Sequence, residues 1–341
     1  KSILVCCGRT NVWRVKAHDS DLIVATRRPV NVLRAIDGGA CCPPCGRLEG
    51  IFIRNNFKSI IINILNGLNK NEEKIFYKYK LNPVINSVTQ LKKWLMFLKN
   101  KKKDRLIVHF DTGMCRLGIQ EKDIKEVLKL KTQIDKFKEV IIMSHLACAG
   151  EKKDPFNEIQ RKKFEKIKML LPGYKYSLAA SGGIFLGKKY HYDLVRPGIN
   201  LYGGSKSYNK NLKHVVSLKS PIIQINELKK GQTAGYSRTF KAKKNMTTAT
   251  IPMGYADGIG IRLSNKGFVH FKSHKLPMLG RISMDLIIID ITKVKNQIKL
   301  GDFVYLYNDL FTIDDFAKLT GTIPYRIITC ISKRYIKNYK N

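Results

Sequence analysis

The sequence predicts an α/β TIM barrel followed by a mostly β domain. From about residue 58 to 200, short apolar runs alternate with amphipathic helical segments, which is the pattern of βα units around a parallel sheet. After Gly204 the apolar runs follow one another without long helices between them, as in a separate β domain. We therefore expect a barrel domain over residues 51–205 and a β domain over residues 206–341.

The first fifty residues differ sharply in composition from the rest. They hold six Arg, two Lys and five of the eight Cys, whereas residues 51–341 hold ten Arg and 45 Lys. One coding sequence rarely changes its bias so abruptly. We interpret residues 1–50 as an anomalous segment, either mistranslated or foreign sequence or a degraded start of the barrel. Its cysteine cluster (Cys41, Cys42 and Cys45) lacks a matching second half, so no metal site is predicted.

Six strands are predicted in the barrel region, each a short apolar run between polar segments. Two of the intervening segments, 88–98 and 124–134, place apolar residues three and four apart, which predicts amphipathic helices. The six strands are predicted at 60–65, 83–86, 106–111, 140–144, 176–180 and 194–196.

The β domain is predicted from six further apolar runs rich in β-branched and aromatic residues. One short helix, near 313–319, interrupts them. The runs lie at 215–218, 222–225, 248–251, 268–271, 286–289 and 303–307.

Charge and hydropathy exclude several classes of protein. The net charge of +37 is spread over many lysines without a nucleic-acid-binding motif, which favours a generic basic surface over a nucleic-acid partner. No apolar run of 18 residues is present, so we expect no membrane span. An apolar stretch after a charged start is also missing, so we expect no signal peptide and a cytoplasmic location.

Polar, glycine-containing motifs follow four of the predicted barrel strands. Catalytic groups of TIM barrels gather at the carboxyl ends of the strands, so these motifs mark the candidate site. Ser181 to Gly183 and Gly198 have the composition of a phosphate cradle, built from backbone N–H groups and a hydroxyl. The motifs read HFDTGMCRLG at 109–118, SHLA at 144–147, SLAASGGI at 177–184 and DLVRPGINLYG at 193–203.

These motifs and four in the β domain, in this order, resemble the alanine racemase family over residues 60–341. The β-domain motifs read AGYSRT at 234–239, GYADG at 254–258, GRISMD at 280–285 and GTIPY at 321–325. The resemblance implies a barrel that binds pyridoxal 5′-phosphate at its mouth, followed by a β domain. It also implies a homodimeric isomerase that interconverts L- and D-alanine by two-base proton transfer and supplies D-alanine for peptidoglycan.

The resemblance assigns seven residues to the cofactor. Arg196 would face its pyridine nitrogen, and because an arginine keeps its proton, that nitrogen would stay unprotonated and the cofactor would be a weaker electron sink. His145 would lie beside the ring and contact Arg196. The seven implied residues are Arg116, His145, Ser181, Arg196, Gly198, Ile199 and Tyr325.

Racemisation needs a base on each face of the substrate, and the resemblance implies Tyr236 for one face. The other base should be the lysine that forms the Schiff base with the cofactor. Lys16 lies in a suitable Val-Lys-Ala run, but the residues after it do not match the family, whereas Lys1 has the better spacing and the wrong context. Lys16, Lys1 and no functional lysine in this stretch all remain open.

The implied substrate residues are Arg116, Tyr255, Met284 and Asp285. The last three correspond to a wall that the family supplies from the partner subunit, so the resemblance implies a shared active site.

Two alternative functions remain. Selectivity for one methylene is worth only ~1–3 kcal/mol, so a broader amino-acid racemase acting on serine is an alternative. The uncertain lysine leaves a catalytically impaired, pyridoxal-phosphate-binding homologue as the other.

Overall fold

The computed structural model describes residues 47–205, 212–332, 334–336 and 338, and the backbone of residues 16, 17, 20 and 21. The chain divides into two compact units, with the first boundary between Leu201 and Tyr202. We call the part up to Leu201 the barrel unit and the part from residue 212 onward the β unit. A parallel α/β sheet in the first and an antiparallel sheet in the second confirm the predicted fold class.

Within its described residues, the barrel unit contains five parallel strands that are neighbours in the same order as in the chain. Consecutive parallel strands joined by helical crossovers are the arrangement from which a TIM barrel is built. Two short strands, β1 (Lys16–Ala17) and β2 (Ser20–Asp21), pair with each other in a separate antiparallel hairpin. The five are β3 (Ile62–Ile64), β4 (Leu81–Ile85), β5 (Arg105–His109), β6 (Glu139–Met143) and β7 (Lys175–Ser177).

Both faces of the parallel sheet are buried. Val84, Ile107 and Ile141 form a small apolar cluster on one face, while Leu106 and Val140 belong to the larger core that includes helix residues. Strands covered on both faces read as continuous apolar runs, which is why short apolar runs in the sequence predicted them.

Six α-helices lie between Arg47 and Leu170, in the part of the barrel unit that the structure describes. The helix predicted at 124–134 is wrong as one element: the backbone leaves helical geometry at Leu130, with φ −98° and ψ 4°. This turn lets both Val127 and Ile134 reach the core. The helices are α1 (Arg47–Asn56), α2 (Glu73–Lys78), α3 (Val88–Phe97), α4 (Ile124–Leu128), α5 (Lys131–Ile134) and α6 (Phe156–Leu170).

The predicted strand at 194–196 is an isolated bridge between Ala180 and Arg196. The chain runs beside β7, but part of its pairing uses a side chain, since the Ser177 hydroxyl donates to the Leu194 carbonyl. Pro197 has no N–H to continue a ladder.

The β unit is built on a seven-stranded antiparallel sheet in the order β8-β16-β13-β14-β15-β12-β9. A separate two-stranded hairpin pairs β10 (Thr233–Ala234) with β11 (Phe240–Lys241). The seven strands are β8 (Leu218–Pro221), β9 (Gln224–Leu228), β12 (Met246–Ile251), β13 (Phe268–Phe271), β14 (His274–Leu279), β15 (Ile287–Asp290) and β16 (Phe303–Tyr307).

Two helices follow β16, and the first, α7 (Ile313–Leu319), has the predicted bounds. Thr312 and Asp315 form a capping box that fixes its start. The second, α8 (Pro324–Thr329), begins with Pro324, which suits the first helical turn because its missing N–H has no partner there.

Candidate active site

The barrel unit brings three strand-end loops together around Arg196. Arg196 is buried, with 3% of the residue exposed. It donates to the Ser177 hydroxyl at 2.5 Å, to the Ser144 carbonyl at 2.6 Å and to the Leu178 carbonyl at 3.1 Å. Because these acceptors sit on or just after β6 and β7, the backbone at the end of the sheet fixes the position of the cation.

His145 follows β6 and contacts this arginine. Its Nδ1 lies 3.4 Å from Nη2 of Arg196. Arginine only donates, so Nδ1 accepts and the other ring nitrogen, Nε2, carries the proton. Burial, together with the charges of Arg196 and Arg116, lowers the pKa of His145 to about 3. The imidazole is therefore neutral at neutral pH.

His109, the last residue of β5, is a second neutral imidazole that the sequence predictions did not single out. Burial and Arg196 lower its pKa to about 4. Its Nδ1 donates to Oδ1 of Asn86 at 2.7 Å. The amide NH₂ of Asn86 donates to the carbonyls of Leu65 and Val84, which fixes that amide's orientation. A histidine at the end of a continuous apolar strand is the sequence signal that could have identified His109.

Arg116 lies in the loop after β5, and its side chain is exposed. One carboxylate oxygen of Asp111 shapes this loop by accepting from the N–H groups of Gly113, Met114 and Cys115. Gly118 closes the loop at φ +117°, where a Cβ would lie 2.6 Å from the Asp111 nitrogen. Only glycine fits this close return of the backbone.

At the predicted phosphate cradle, two segments of backbone lie in close contact. Ser181 is buried, and its hydroxyl accepts from the N–H of Gly198 at 2.7 Å, which brings the turn after β7 against the segment that includes Ile199. A Cβ on Gly182 would lie 2.7 Å from the Ala149 carbonyl oxygen. The bare glycine backbone and the serine hydroxyl are the donors that phosphate-binding turns use.

In the β unit, Tyr236 lies in the β10–β11 hairpin loop and is 68% exposed. Three residues around it have positive φ: Gly235 (75°), Ser237 (58°) and Arg238 (50°). Such backbone strain is concentrated at functional sites, where surrounding structure holds it in place.

Tyr255, Met284 and Asp285 are brought together by backbone hydrogen bonds. The Tyr255 N–H donates to the Ser283 carbonyl, and the next N–H donates to the Met284 carbonyl, both at 3.1 Å. Gly254 makes this approach possible, because a Cβ there would lie 2.1 Å from the Met284 carbonyl oxygen.

The acidic side of this wall is held by Arg334. Its guanidinium lies 2.7 Å from Asp285 and 3.5 Å from Asp257, which is itself buried. Arg334 is another residue that the sequence predictions missed, since no motif contains it.

The remaining predicted residues are placed only in part. Tyr325 is the second residue of α8 and is 44% exposed. The backbone of Lys16 pairs with Asp21 in the β1–β2 hairpin, and its side chain lies outside the described residues. Lys1 also lies outside them.

The described residues contain no group of three or more His, Cys, Asp or Glu side chains arranged to hold a metal ion. Every helix in the described part of the chain is too short or too polar to cross a membrane.

The barrel-unit residues fit pyridoxal 5′-phosphate. Ser181 and the glycine backbone suit its phosphate, and Arg196 is a cation that burial between two strand ends holds in one place. The neutral His145 adds no charge beside it. This donor set matches a flat, anionic cofactor with a ring nitrogen.

Comparison with known proteins supports the same conclusion. The family model "Alanine racemase, N-terminal domain" matches residues 30–206, and "Alanine racemase, C-terminal domain" matches residues 215–339. The first match begins inside the segment predicted to be anomalous. The alanine racemase of Rickettsia bellii is 39% identical over 300 residues, covering 85% of this chain and 72% of that protein. That of Rickettsia africae is 38% identical over 296 residues, covering 85% and 82%.

Solved structures agree. An alanine racemase from Bartonella henselae with covalently bound pyridoxal phosphate has a TM-score of 0.79 and 36% identity, covering 84% of this chain and 81% of that one. The biosynthetic alanine racemase from Pseudomonas aeruginosa has a TM-score of 0.78 and 26% identity, covering 86% and 83%. The chain therefore belongs to the alanine racemase family.

Proposed function

We propose that this chain interconverts L- and D-alanine with pyridoxal 5′-phosphate as its cofactor. The observation that carries the proposal is the buried Arg196 beside a neutral His145 at the carboxyl end of the parallel strands. Family membership and the alanine racemase names of the relatives support it. The serine racemase and the impaired homologue are not favoured.

When bound, the cofactor withdraws electrons from the α-carbon of the substrate, so that its proton can be removed. Arg196 keeps its own proton and leaves the ring nitrogen unprotonated, which limits that withdrawal. His145 orients this arginine without adding charge. Ser181, Gly198, Ile199 and Tyr325 hold the phosphate.

Two residues move the proton. Tyr236 takes or returns it at the α-carbon on one face, and Lys16, which would hold the cofactor covalently until the substrate amine takes its place, would do so on the other face with its freed amine. The exposure of Tyr236 on a hairpin loop suits a base whose phenolic oxygen must reach a substrate.

Arg116, Tyr255, Met284 and Asp285 bind the substrate and shape its entrance. We propose that the last three act on a partner subunit's barrel, so that two chains share each site in a homodimer. The exposed side chains of Tyr255 and Met284 support this role. We further propose that the enzyme works in the cytoplasm and supplies D-alanine for peptidoglycan.

Incubation of the purified chain and pyridoxal 5′-phosphate with L-alanine in D₂O tests the function. We expect D-alanine by chiral chromatography, with deuterium at its α-carbon, and at most slow turnover of L-serine. Stable L-alanine without α-deuterium would contradict the proposed function, and faster turnover of serine would favour the broader racemase.

A further inference from the structure

Gln160 on α6 joins two of the loops that carry site residues. We define the β5 loop as residues 110–118, which include Arg116, and the β6 loop as residues 144–151, which include His145. We propose that Gln160 is a positioning residue that holds these loops in one arrangement for racemisation. This inference rests on the proposed function of the site.

The Gln160 side chain is completely buried, and its amide makes three hydrogen bonds. Its oxygen accepts from the Ala147 N–H at 2.8 Å. Its NH₂ donates to the His145 carbonyl and to the Thr112 hydroxyl, each at 3.1 Å. Since Ala147 offers a donor and His145 an acceptor, the amide has only one orientation that satisfies both.

The contact with Thr112 extends to the arginine. Thr112 and Ser144 are both buried, and their hydroxyls share a hydrogen bond of 2.8 Å. The Ser144 carbonyl then accepts from Arg196 at 2.6 Å. One amide therefore links the β5 loop, the β6 loop and the arginine.

Packing alone does not require a polar side chain here. Phe164 and Ile167, one and two turns further along the same face of α6, lie in the apolar core. A buried amide costs free energy unless it is hydrogen-bonded. All three partners of Gln160 lie in the two loops, so its hydrogen bonds fix loop geometry.

Asn157 provides a matched control on the same helix. It is 1% exposed, and its NH₂ donates to the carbonyls of Cys148 and Glu151, both in the β6 loop. It has no hydrogen bond to the β5 loop. Replacing either amide removes a buried polar side chain, but of these two residues Gln160 is the one whose hydrogen bonds reach both loops.

The test compares Gln160→Leu, Asn157→Leu and Thr112→Val in the cofactor-loaded enzyme. Amide hydrogen exchange of both loops is measured by mass spectrometry, together with thermal stability, kcat and KM for alanine. Gln160→Leu should speed exchange in both loops and lower kcat by about 10- to 100-fold, because small displacements of positioned groups have effects of this size. Asn157→Leu should speed exchange in the β6 loop alone, with kcat within about threefold of wild type.

The proposal is overturned if Gln160→Leu leaves exchange in the β5 loop unchanged, or if the two leucine variants lose equal kcat at equal loss of stability. If Gln160→Leu fails to fold, Thr112→Val tests the proposal instead. Faster hydrogen exchange of the β5 loop together with a lower kcat would support the proposed link between the two loops. Wild-type exchange and wild-type kcat would refute it. A wild-type chain without racemisation would sink the proposed function, while the exchange data would still show whether Gln160 couples the loops.

Discussion

At the scale of single residues, the site combines one buried cation with two neutral imidazoles. Arg196 lowers the pKa values of both His145 and His109, and burial is the larger cause for each. Neither imidazole therefore adds positive charge, and two backbone carbonyls and the Ser177 hydroxyl determine the position of the Arg196 guanidinium. Motif matching identified Arg196 and His145, but nothing in a motif shows that a strand-end histidine such as His109 is neutral.

These histidines make stability depend on pH. In the folded state their pKa values are about 3 and 4, whereas an unfolded histidine titrates near 6.5. Between these values the unfolded chain binds protons that the folded chain does not, so stability is lost as the pH falls below about 6.5. Each histidine should lower the free energy of unfolding by up to about 1.4 kcal/mol per pH unit.

Urea unfolding between pH 7 and pH 5 measures this dependence, and the His109→Gln variant should show a shallower decline than wild type. Equal slopes for the two proteins would show that His109 does not take up a proton on unfolding.

Tyr236→Phe should slow racemisation in both directions by roughly 10²- to 10⁴-fold while the cofactor remains bound, because only the phenolic oxygen is lost. Tyr305→Phe, in strand β16 of the same unit, is the control and should keep full activity. Chiral assays started from each enantiomer provide the measurement. Full activity of Tyr236→Phe would end its assignment as a base.

At the scale of elements, the pattern of buried apolar residues determined which helices and strands could be predicted from the sequence. β13 and β16 have their predicted bounds because each is a compact apolar run with clear ends. α7 also has its predicted bounds, and its buried apolar residues Ile313, Phe316 and Ala317 lie three and four positions apart. β14 was missed because Lys275 and Pro277 interrupt its apolar residues, although Leu276 and Met278 between them are buried. The Leu130 break between α4 and α5 keeps apolar residues on the core side, so spacing could not reveal it.

The turn before Tyr255 gives an element-scale prediction. Gly254→Ala places a methyl group about 2 Å from the Met284 carbonyl oxygen, so the wall residues must move apart. We expect the free energy of unfolding to fall by about 1–3 kcal/mol, as in other overpacked sites, and KM for alanine to rise.

Gly260→Ala is the matched control, since a Cβ there meets nothing within 4 Å and the backbone has φ −63°. It should change stability by no more than about 0.5 kcal/mol. Denaturant unfolding and steady-state kinetics compare the two variants. Equal behaviour of both would show that the Gly254 contact does not constrain the wall.

At the scale of the whole molecule, the order of apolar runs and motifs predicted the fold class, a parallel α/β sheet followed by an antiparallel sheet. The residues that it missed act through backbone or distant partners: Gln160 holds loop backbone, and Arg334 joins two carboxylates. Such contacts depend on how separate segments fold together, which local sequence patterns do not record.

A shared site in a homodimer predicts complementation between two inactive chains. Arg116→Ala removes a substrate residue of the barrel unit, and Tyr255→Ala removes one of the wall. In a mixed dimer, the unchanged barrel unit of one chain meets the unchanged wall of the other, so one of the two sites is intact. After equal mixing under conditions that exchange subunits, activity should rise to roughly a quarter of wild type, since half of the dimers are mixed and each has one intact site. Activity no greater than the sum of the separate variants would contradict sharing.

We propose above all that this chain holds pyridoxal 5′-phosphate covalently through a lysine and uses it for racemisation. Borohydride reduction of the cofactor-loaded protein, followed by peptide mapping with mass spectrometry, tests it most directly. We predict one irreversible pyridoxyl adduct, on Lys16. An adduct on Lys1 would move the second base to that residue. A cofactor that dialyses away after reduction and leaves every lysine unmodified would contradict the claim.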